Sequence, residues 1–347
     1  MKVLIVDDSP TMRQLLEKII NSDPTLTVVA SASKPSEVEA LIRKHKPDVL
    51  TFDINMPEMN GVELVKKIHP MFKIPIIVIS SLGPEDGPLV MQALENGAID
   101  YIQKPDQSEI GKTSLVIRER IKMAAAAKVL NFSKRKVSRS AISIKDRLIV
   151  MGSSTGGTEA LRVILESLPN EIPPILIVQH IPAFFSKAFA DRLNTLVNFE
   201  VMEAKDGDEV KANRVLIAPG GKQMGVKVVG GKMTVVVNDD SQVNRHKPSV
   251  DYLFQSVSKL NFEGLIGVIL TGMGADGARQ MKVLRDFGAR TIAQDEATSV
   301  VFGMPREAIQ MGGAEFVLPI NGIAEKIVDL LNENSKVKSS LKIKKAG

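Results

Sequence analysis

Short apolar runs alternate with amphipathic stretches along the first third of the chain. Five runs predict buried strands: Lys2–Val6, Thr27–Ala32, Val49–Phe52, Ile76–Ser80 and Ile99–Gln103. Between them, the spacing of apolar residues predicts helices at Met12–Ile20, Ser36–Lys44, Val62–Ile68 and Pro88–Asn96. Repeated alternation of strand and helix predicts a doubly wound parallel sheet of the α/β class, in which ligands bind at the carboxyl ends of the strands.

Polar residues stand at those strand ends: Asp7, Asp8, Asp53, Ser80 and Lys104. Each aspartate alone could simply cap the following helix, but several strand ends carry such residues, and this favours one shared site. Clustered carboxylates repel one another unless a cation is present, and oxygen ligands suit a hard ion such as Mg²⁺. The lysine could pair with a bound anion, and the serine hydroxyl could donate a hydrogen bond to a phosphoryl oxygen.

The aspartate pair, the lone aspartate within Phe52–Gly61, the serine and Lys104-Pro105 resemble the receiver domains of bacterial response regulators. The resemblance implies that Asp53 accepts a phosphoryl group and that Asp7 and Asp8, together with Asp53, hold Mg²⁺. It also implies a histidine kinase as the phosphodonor.

The same resemblance implies a switch in which Ser80 and Lys104 read the phosphate and Tyr101 changes rotamer. Tyr101 could equally be an ordinary half-buried tyrosine at a strand end. A flavodoxin-like cofactor site is the alternative for this domain, but no Gly/Ser/Thr-rich phosphate loop follows the first strand.

A second strand, turn and helix begin after residue 147. The strand Leu148–Gly152 leads into the Gly/Ser turn Ser153–Gly157 and a helix predicted at Thr158–Ser167. This geometry presents backbone N–H groups and a positive helix end. It suits either an anion site or a nucleophilic serine with a stabilised oxyanion. The dinucleotide, P-loop and lipase motifs are all missing from this turn.

A serine nucleophile needs a base and a carboxylate. His180 ends the apolar run Pro174–His180, and Asp276 lies in a glycine-rich loop after the strand Leu265–Leu270. Three strands would thus deliver Ser, His and Asp to one edge of a sheet. His246 lies in a polar, basic loop, where it could contact substrate or face solvent.

Several segments of the second half are similar to the catalytic domain of the CheB-type chemotaxis methylesterases. The matching segments are Gly152–Ala160, Gln179–Pro182, Ala218–Gly221, Thr271–Gly277, Asp295–Ser299 and Gly303–Ala308. The resemblance implies a catalytic triad in which Ser154 is the nucleophile and His180 and Asp276 complete the set. It also implies that Thr155 and Met273 lie on the oxyanion side.

Ser153 stands where alanine is expected from the resemblance, so a second hydroxyl lies beside the nucleophile. The implied fold is two doubly wound parallel-sheet domains: a flavodoxin-like receiver and a Rossmann-like methylesterase domain. The implied reaction is hydrolysis of glutamate γ-methyl esters on chemoreceptors, with related glutamine deamidation, and it needs no metal. Phosphorylation would relieve obstruction by the receiver or stimulate the second domain actively.

An alternative of another class is a two-domain regulator that binds a partner or nucleic acid, with the serine turn as an anion site. The second half alternates strands and helices and shows no helix-turn-helix pattern, which argues against DNA binding. Aromatic residues make up only 4% of the chain and tryptophan is missing, which leaves few stacking platforms for nucleic acid.

Charge and composition set the domain plan. The net charge of +5 is concentrated in residues 128–147 and the C-terminal end, which leaves the remainder net acidic. We predict a receiver domain at 1–123, a basic linker at 124–146, a catalytic domain at 147–333 and a basic tail at 334–347. The linker could be a tether that responds to the switch or a passive spacer. The chain has no cysteine, signal peptide or membrane-length apolar run, so we expect a cytoplasmic protein that acts as a monomer without membrane insertion.

Overall fold

The chain divides into two compact units, Met1–Leu130 and Asn131–Gly347. The computed structural model describes residues 1–80, 86–104, 110–127, 144, 146–260 and 262–343, with backbone alone at 110, 112 and 334–343. The predicted linker and tail therefore lie largely outside the described side chains, and the four domain bounds stay predictions. Among the described helices, none is long and apolar enough to cross a membrane.

The first unit is a parallel sheet with helices on both faces. Its strands are β1 (Lys2–Val6), β2 (Thr27–Ala32), β3 (Val49–Phe52), β4 (Ile76–Ser80) and β5 (Asp100–Gln103). Its helices are α1 (Pro10–Asn21), α2 (Val38–His45), α3 (Gly61–Phe72), α4 (Gly87–Glu95) and α5 (Ile110–Ala126). The strand order is β2-β1-β3-β4-β5, and every pairing is parallel. This confirms the doubly wound sheet, with β5 starting one residue later than predicted.

The second unit is a larger parallel sheet with an added hairpin. Its strands are β6 (Leu148–Ser153), β7 (Ile175–Gln179), β8 (Glu200–Glu203), β9 (Arg214–Ile217), β10 (Gln223–Val229), β11 (Lys232–Asn238), β12 (Leu265–Ile269), β13 (Arg290–Gln294) and β14 (Phe316–Leu318). Its helices are α6 (Gly157–Ser167), α7 (Ala183–Asn194), α8 (Val250–Ser258), α9 (Ala278–Asp286), α10 (Met304–Gln310) and α11 (Ile320–Ile343). The sheet order is β14-β13-β12-β6-β7-β9-β8, while β10 and β11 pair antiparallel with each other.

Three neighbouring strands at the centre of this sheet position the candidate site. The order β12-β6-β7 brings the ends of these strands side by side, with Gly152 paired to Ile269 on one flank and to Val178 on the other. All three strands are buried at every position, as expected for central parallel strands covered on both faces. A Cβ on Gly152 would lie 2.3 Å from Val250 Cγ1, so this glycine lets α8 begin directly against the strand end.

Candidate functional site

Ser154 lies in a sharp turn between β6 and α6. Its backbone N–H donates to the Thr271 carbonyl at 3.0 Å, and its carbonyl accepts from the Gly157 N–H at 2.7 Å. Gly156 closes the turn at a φ of 78°, in the left-handed region that glycine adopts without strain. The Ser154 side chain is half-buried, and its hydroxyl makes no hydrogen bond to any residue that the structure describes.

Ser153 has a different environment from its neighbour. It is fully buried, and its hydroxyl donates to Gln179 Oε1 at 2.6 Å. The Gln179 amide in turn donates to the carbonyls of Ser154 at 2.9 Å and His180 at 3.3 Å. Ser153 therefore orients a glutamine that ties the end of β6 to the end of β7, and its hydroxyl is unsuited to attack a substrate.

His180 and Asp276 form a buried pair, with 2.8 Å between His180 Nε2 and Asp276 Oδ2. The carboxylate also accepts from Asn244 Nδ2 at 2.8 Å, Ser249 Oγ at 2.8 Å and the Val250 N–H at 2.7 Å. Burial disfavours the charged carboxylate, but hydrogen bonds from His180, Asn244 and Ser249 outweigh burial and hold the pKa of Asp276 well below its ordinary value. Asp276 is thus ionised, and it lies against the N-terminus of α8, where the helix dipole also favours negative charge.

Ser154 and His180 directly follow the neighbouring strands β6 and β7, and the hydrogen bonds of the described residues include none between their side chains. The backbone N–H of His180 donates to the Ser153 carbonyl at 3.0 Å, and this bond holds the two strand ends together. His180 Nδ1 is buried and finds no hydrogen-bond partner among the described residues. The structure thus forms the His–Asp half of the predicted triad and leaves the second imidazole nitrogen without a partner.

The two residues predicted for the oxyanion side both lie next to Ser154. Thr155 follows it in the chain, is buried, and accepts a hydrogen bond from Thr271 Oγ1 at its carbonyl at 3.0 Å. Met273 is 39% exposed and directly follows Gly272. Gly272 lies so close to Ser154 that a Cβ added to the glycine would be 2.7 Å from Ser154 Cβ. The first turn of α6 begins beside them, so backbone dipoles converge on this point.

The predicted acidic cluster forms in the first unit. Carboxylate oxygens of Asp7, Asp8 and Asp53 all lie within 4.8 Å of one another; Asp7 and Asp53 are buried and Asp8 is exposed. Lys104 Nζ lies 2.6 Å from Asp53 Oδ2 and 2.8 Å from Asp7 Oδ2. Burial raises the pKa of Asp53, although Lys104 opposes this shift. Three oxygen donors with one side open to solvent fit a hard divalent cation. Pro105 lies outside the described residues.

Ser80 does not point its hydroxyl at this cluster. The fully buried serine donates to Asp86 Oδ2 at 3.1 Å, and Asn55 Nδ2 donates to Asp86 Oδ1 at 2.8 Å. Asp86 is a buried acid immediately before α4 that the sequence analysis missed, because it follows no strand. Tyr101 is 2% exposed, with the Arg120 guanidinium 6.0 Å from its ring centroid, so the tyrosine is more deeply buried than an ordinary strand-end residue.

The fold and both sites define the class of protein: a response regulator whose output domain is an α/β domain with the residues of a serine hydrolase. The chain belongs to the CheB methylesterase family, whose model matches residues 149–327, and a response regulator receiver domain matches residues 3–114. The catalytic unit also resembles the crystal structure of the Thermotoga maritima CheB methylesterase catalytic domain, at 40% identity and a TM-score of 0.52, over 53% of this chain and 98% of that one.

Two curated relatives match this chain over nearly their whole length. Protein-glutamate methylesterase/protein-glutamine glutaminase 2 of Vibrio vulnificus is 45% identical over 341 residues, which cover 96% of this chain and 99% of that protein. Protein-glutamate methylesterase/protein-glutamine glutaminase 3 of Geobacter metallireducens is 42% identical over 352 residues, covering 95% and 98% respectively.

Proposed function

We propose that this protein is a phosphorylation-regulated hydrolase that demethylates glutamate γ-methyl esters and deamidates glutamine on chemoreceptors. The relatives that match nearly the whole chain are named for both activities. The single observation that carries the proposal is the buried His180–Asp276 pair beside the glycine-bounded turn of Ser154. We expect the protein to act in the cytoplasm, where the receptor modification sites and the kinase would be accessible.

Acylation begins when the Ser154 hydroxyl attacks the side-chain carbonyl of a receptor glutamate ester. His180 takes the serine proton at Nδ1, since Nε2 is engaged by Asp276, and Asp276 stabilises the imidazolium that forms. The hydrogen bond between serine and base would form when substrate binds, because such contacts are often long in the free enzyme. His180 then gives its proton to the departing methanol, or to ammonia when the substrate is glutamine.

Deacylation reverses the roles at the same atoms. Water loses a proton to His180 and attacks the acyl-enzyme carbonyl, and the proton returns to Ser154 as glutamate is released. Negative charge on the tetrahedral oxygen would be stabilised on the side of Thr155 and Met273. The Met273 N–H donates to no described residue, so it is available as an oxyanion donor, and the N-terminus of α6 adds its dipole.

Control would reside in the receiver. Asp53 is the proposed phosphorylation site, with a chemotaxis histidine kinase as donor, and Asp7, Asp8 and Asp53 would hold Mg²⁺. The ion, when bound, neutralises charge as the phosphoryl group arrives. Lys104 would turn from its present carboxylates to the phosphoryl oxygens, and Ser80 would donate to the same group, with Tyr101 as the switch aromatic.

A serine-directed fluorophosphonate tests the catalytic assignment. The label should attach to Ser154 and spare Ser153, and methylated receptor should slow labelling by competition. A two-domain regulator with an anion site at the serine turn would take up no label, so an unlabelled protein that is folded would contradict the proposal.

Asp86 gives a prediction for the receiver. The Asp86 carboxylate accepts from the Ser80 hydroxyl, and Asn55 links it to Asp53 by donating to both acids. Because Asp86→Asn removes the charge that holds Ser80, the phosphorylated fraction should rise by about threefold, which corresponds to less than ~1 kcal/mol. The measurement is the fraction phosphorylated at steady state with a small phosphodonor and Mg²⁺, resolved by phosphate-affinity electrophoresis. Glu17→Gln, an exposed acid-to-amide change on α1, is the matched control and should match the wild type. An unchanged or lower fraction for Asp86→Asn would show that the charge of Asp86 does not oppose phosphorylation.

A further inference from the structure

A tight turn at Val243–His246 reaches into the catalytic site from outside the three site-bearing strands. The Val243 and His246 backbones exchange hydrogen bonds at 3.1 and 2.9 Å, which closes the turn. The two central residues, Asn244 and Arg245, both have positive φ, at 53° and 67°, as a type I′ turn requires. The turn is therefore a defined structure that presents its side chains in fixed directions.

Two side chains of this turn contact the His–Asp pair. Asn244 Nδ2 donates to Asp276 Oδ1 at 2.8 Å. The His246 ring lies flat on the His180 ring, with 3.7 Å between ring centroids and 7° between the planes. One turn thus contacts both the base and its carboxylate, which is more than a solvent-facing loop would do.

A buried glutamine fixes the turn to the hairpin. Gln223, fully buried at the start of β10, donates from Nε2 to the carbonyls of Ser241 and His246, each at 3.1 Å. Its Oε1 accepts from the Ser249 N–H at 2.9 Å. Gln223 therefore anchors the backbone on both sides of His246, and this fixed backbone positions the imidazole ring.

We propose that His246 is a positioning residue that holds the plane of the general base, an inference that rests on the proposed function of His180. The hydrogen bond from Nε2 to Asp276 fixes one point of the His180 ring but leaves the ring able to tilt about that contact. A parallel ring at van der Waals distance limits this tilt and would keep Nδ1 in the orientation in which it takes the serine proton.

The test compares His246→Ala, which removes the ring, with His246→Phe, which keeps a flat face. For methylated receptor, His246→Ala should lower kcat by about tenfold or more, as small misplacements of catalytic groups do, with KM within about twofold because substrate binding is unchanged. His246→Phe should recover most of kcat. His45→Ala, a histidine change in the receiver, is the control and should leave the unphosphorylated activity at the wild-type value.

Fluorophosphonate labelling of Ser154 provides a readout that does not depend on the receptor, since the base must still activate the serine. The labelling rate should decrease in the same order as kcat, from the wild type to His246→Phe to His246→Ala. If the wild type labels but releases no methanol, the proposed substrate is wrong while the labelling rates still decide the role of His246. Should His246→Ala fail to fold, His246→Leu fills the space without a flat face and carries the same expected loss. The proposal would be overturned if His246→Ala had the same kcat and labelling rate as the wild type, or if His246→Phe lost as much activity as His246→Ala.

Discussion

Ser154→Ala is expected to lower the rate of methanol release from methylated receptor by about 10⁴-fold or more, because it removes the hydroxyl proposed to form the acyl-enzyme. The change deletes a hydroxyl that makes no hydrogen bond to the described residues, so the fold should be unaffected. The measurement is the initial rate of methanol release, with the melting temperature as the check on folding.

Ser153→Ala is the matched control one residue away. It removes the hydrogen bond to Gln179 and should cost about 1 kcal/mol of stability, as expected for one buried hydrogen bond. Its catalytic loss should stay within roughly tenfold, since only the orientation of Gln179 changes. Loss of activity in Ser153→Ala with retention in Ser154→Ala would mean that the neighbouring serine is the nucleophile.

Asp276→Asn should lower kcat by about 10³- to 10⁴-fold, because an amide can no longer fix the imidazole tautomer or balance its positive charge. The side chain is 2% exposed and accepts from several donors, so the change should also destabilise the second domain by ~2 kcal/mol or more at neutral pH. The measurements are kcat on methylated receptor and urea unfolding followed across pH.

The pH dependence of this stability has a definite sign. The pKa of Asp276 is lowered on folding, so its ionised form stabilises the fold above the unfolded pKa of about 4, and this contribution disappears as pH falls through the lower folded value. The stability gap between wild type and Asp276→Asn should therefore narrow below about pH 4. Asp286→Asn, an exposed change at the end of α9, is the control and should show neither effect. A gap that widens on acidification would contradict the ionised state of Asp276.

The sheet and most of the site could be predicted from the sequence because each depends on local pattern. Apolar runs such as Leu148–Gly152 must be buried, and parallel strands bring whatever follows them to one edge. Ser154, His180 and Asp276 each follow such a run, so the sequence was enough to place them together. The same reasoning placed Asp53 beside Asp7 and Lys104, as the structure confirms.

The remainder depends on contacts between distant segments that no periodicity reveals. The sequence allows His246 either to contact substrate or to face solvent, whereas in the structure its ring stacks on His180. Ser249 could have been found as a helix cap before the apolar start of α8. That this cap and Asn244 both donate to Asp276 follows only from the packing of α8 against β6 and α9.

Methanol release from methylated receptor, measured for the wild type and Asp53→Asn with and without a small phosphodonor and Mg²⁺, tests the central claim most directly. The account predicts release by the wild type that rises with phosphodonor and Mg²⁺, and release by Asp53→Asn that does not respond. No release by folded wild type under any of these conditions would contradict the esterase assignment and favour a regulator that acts by binding.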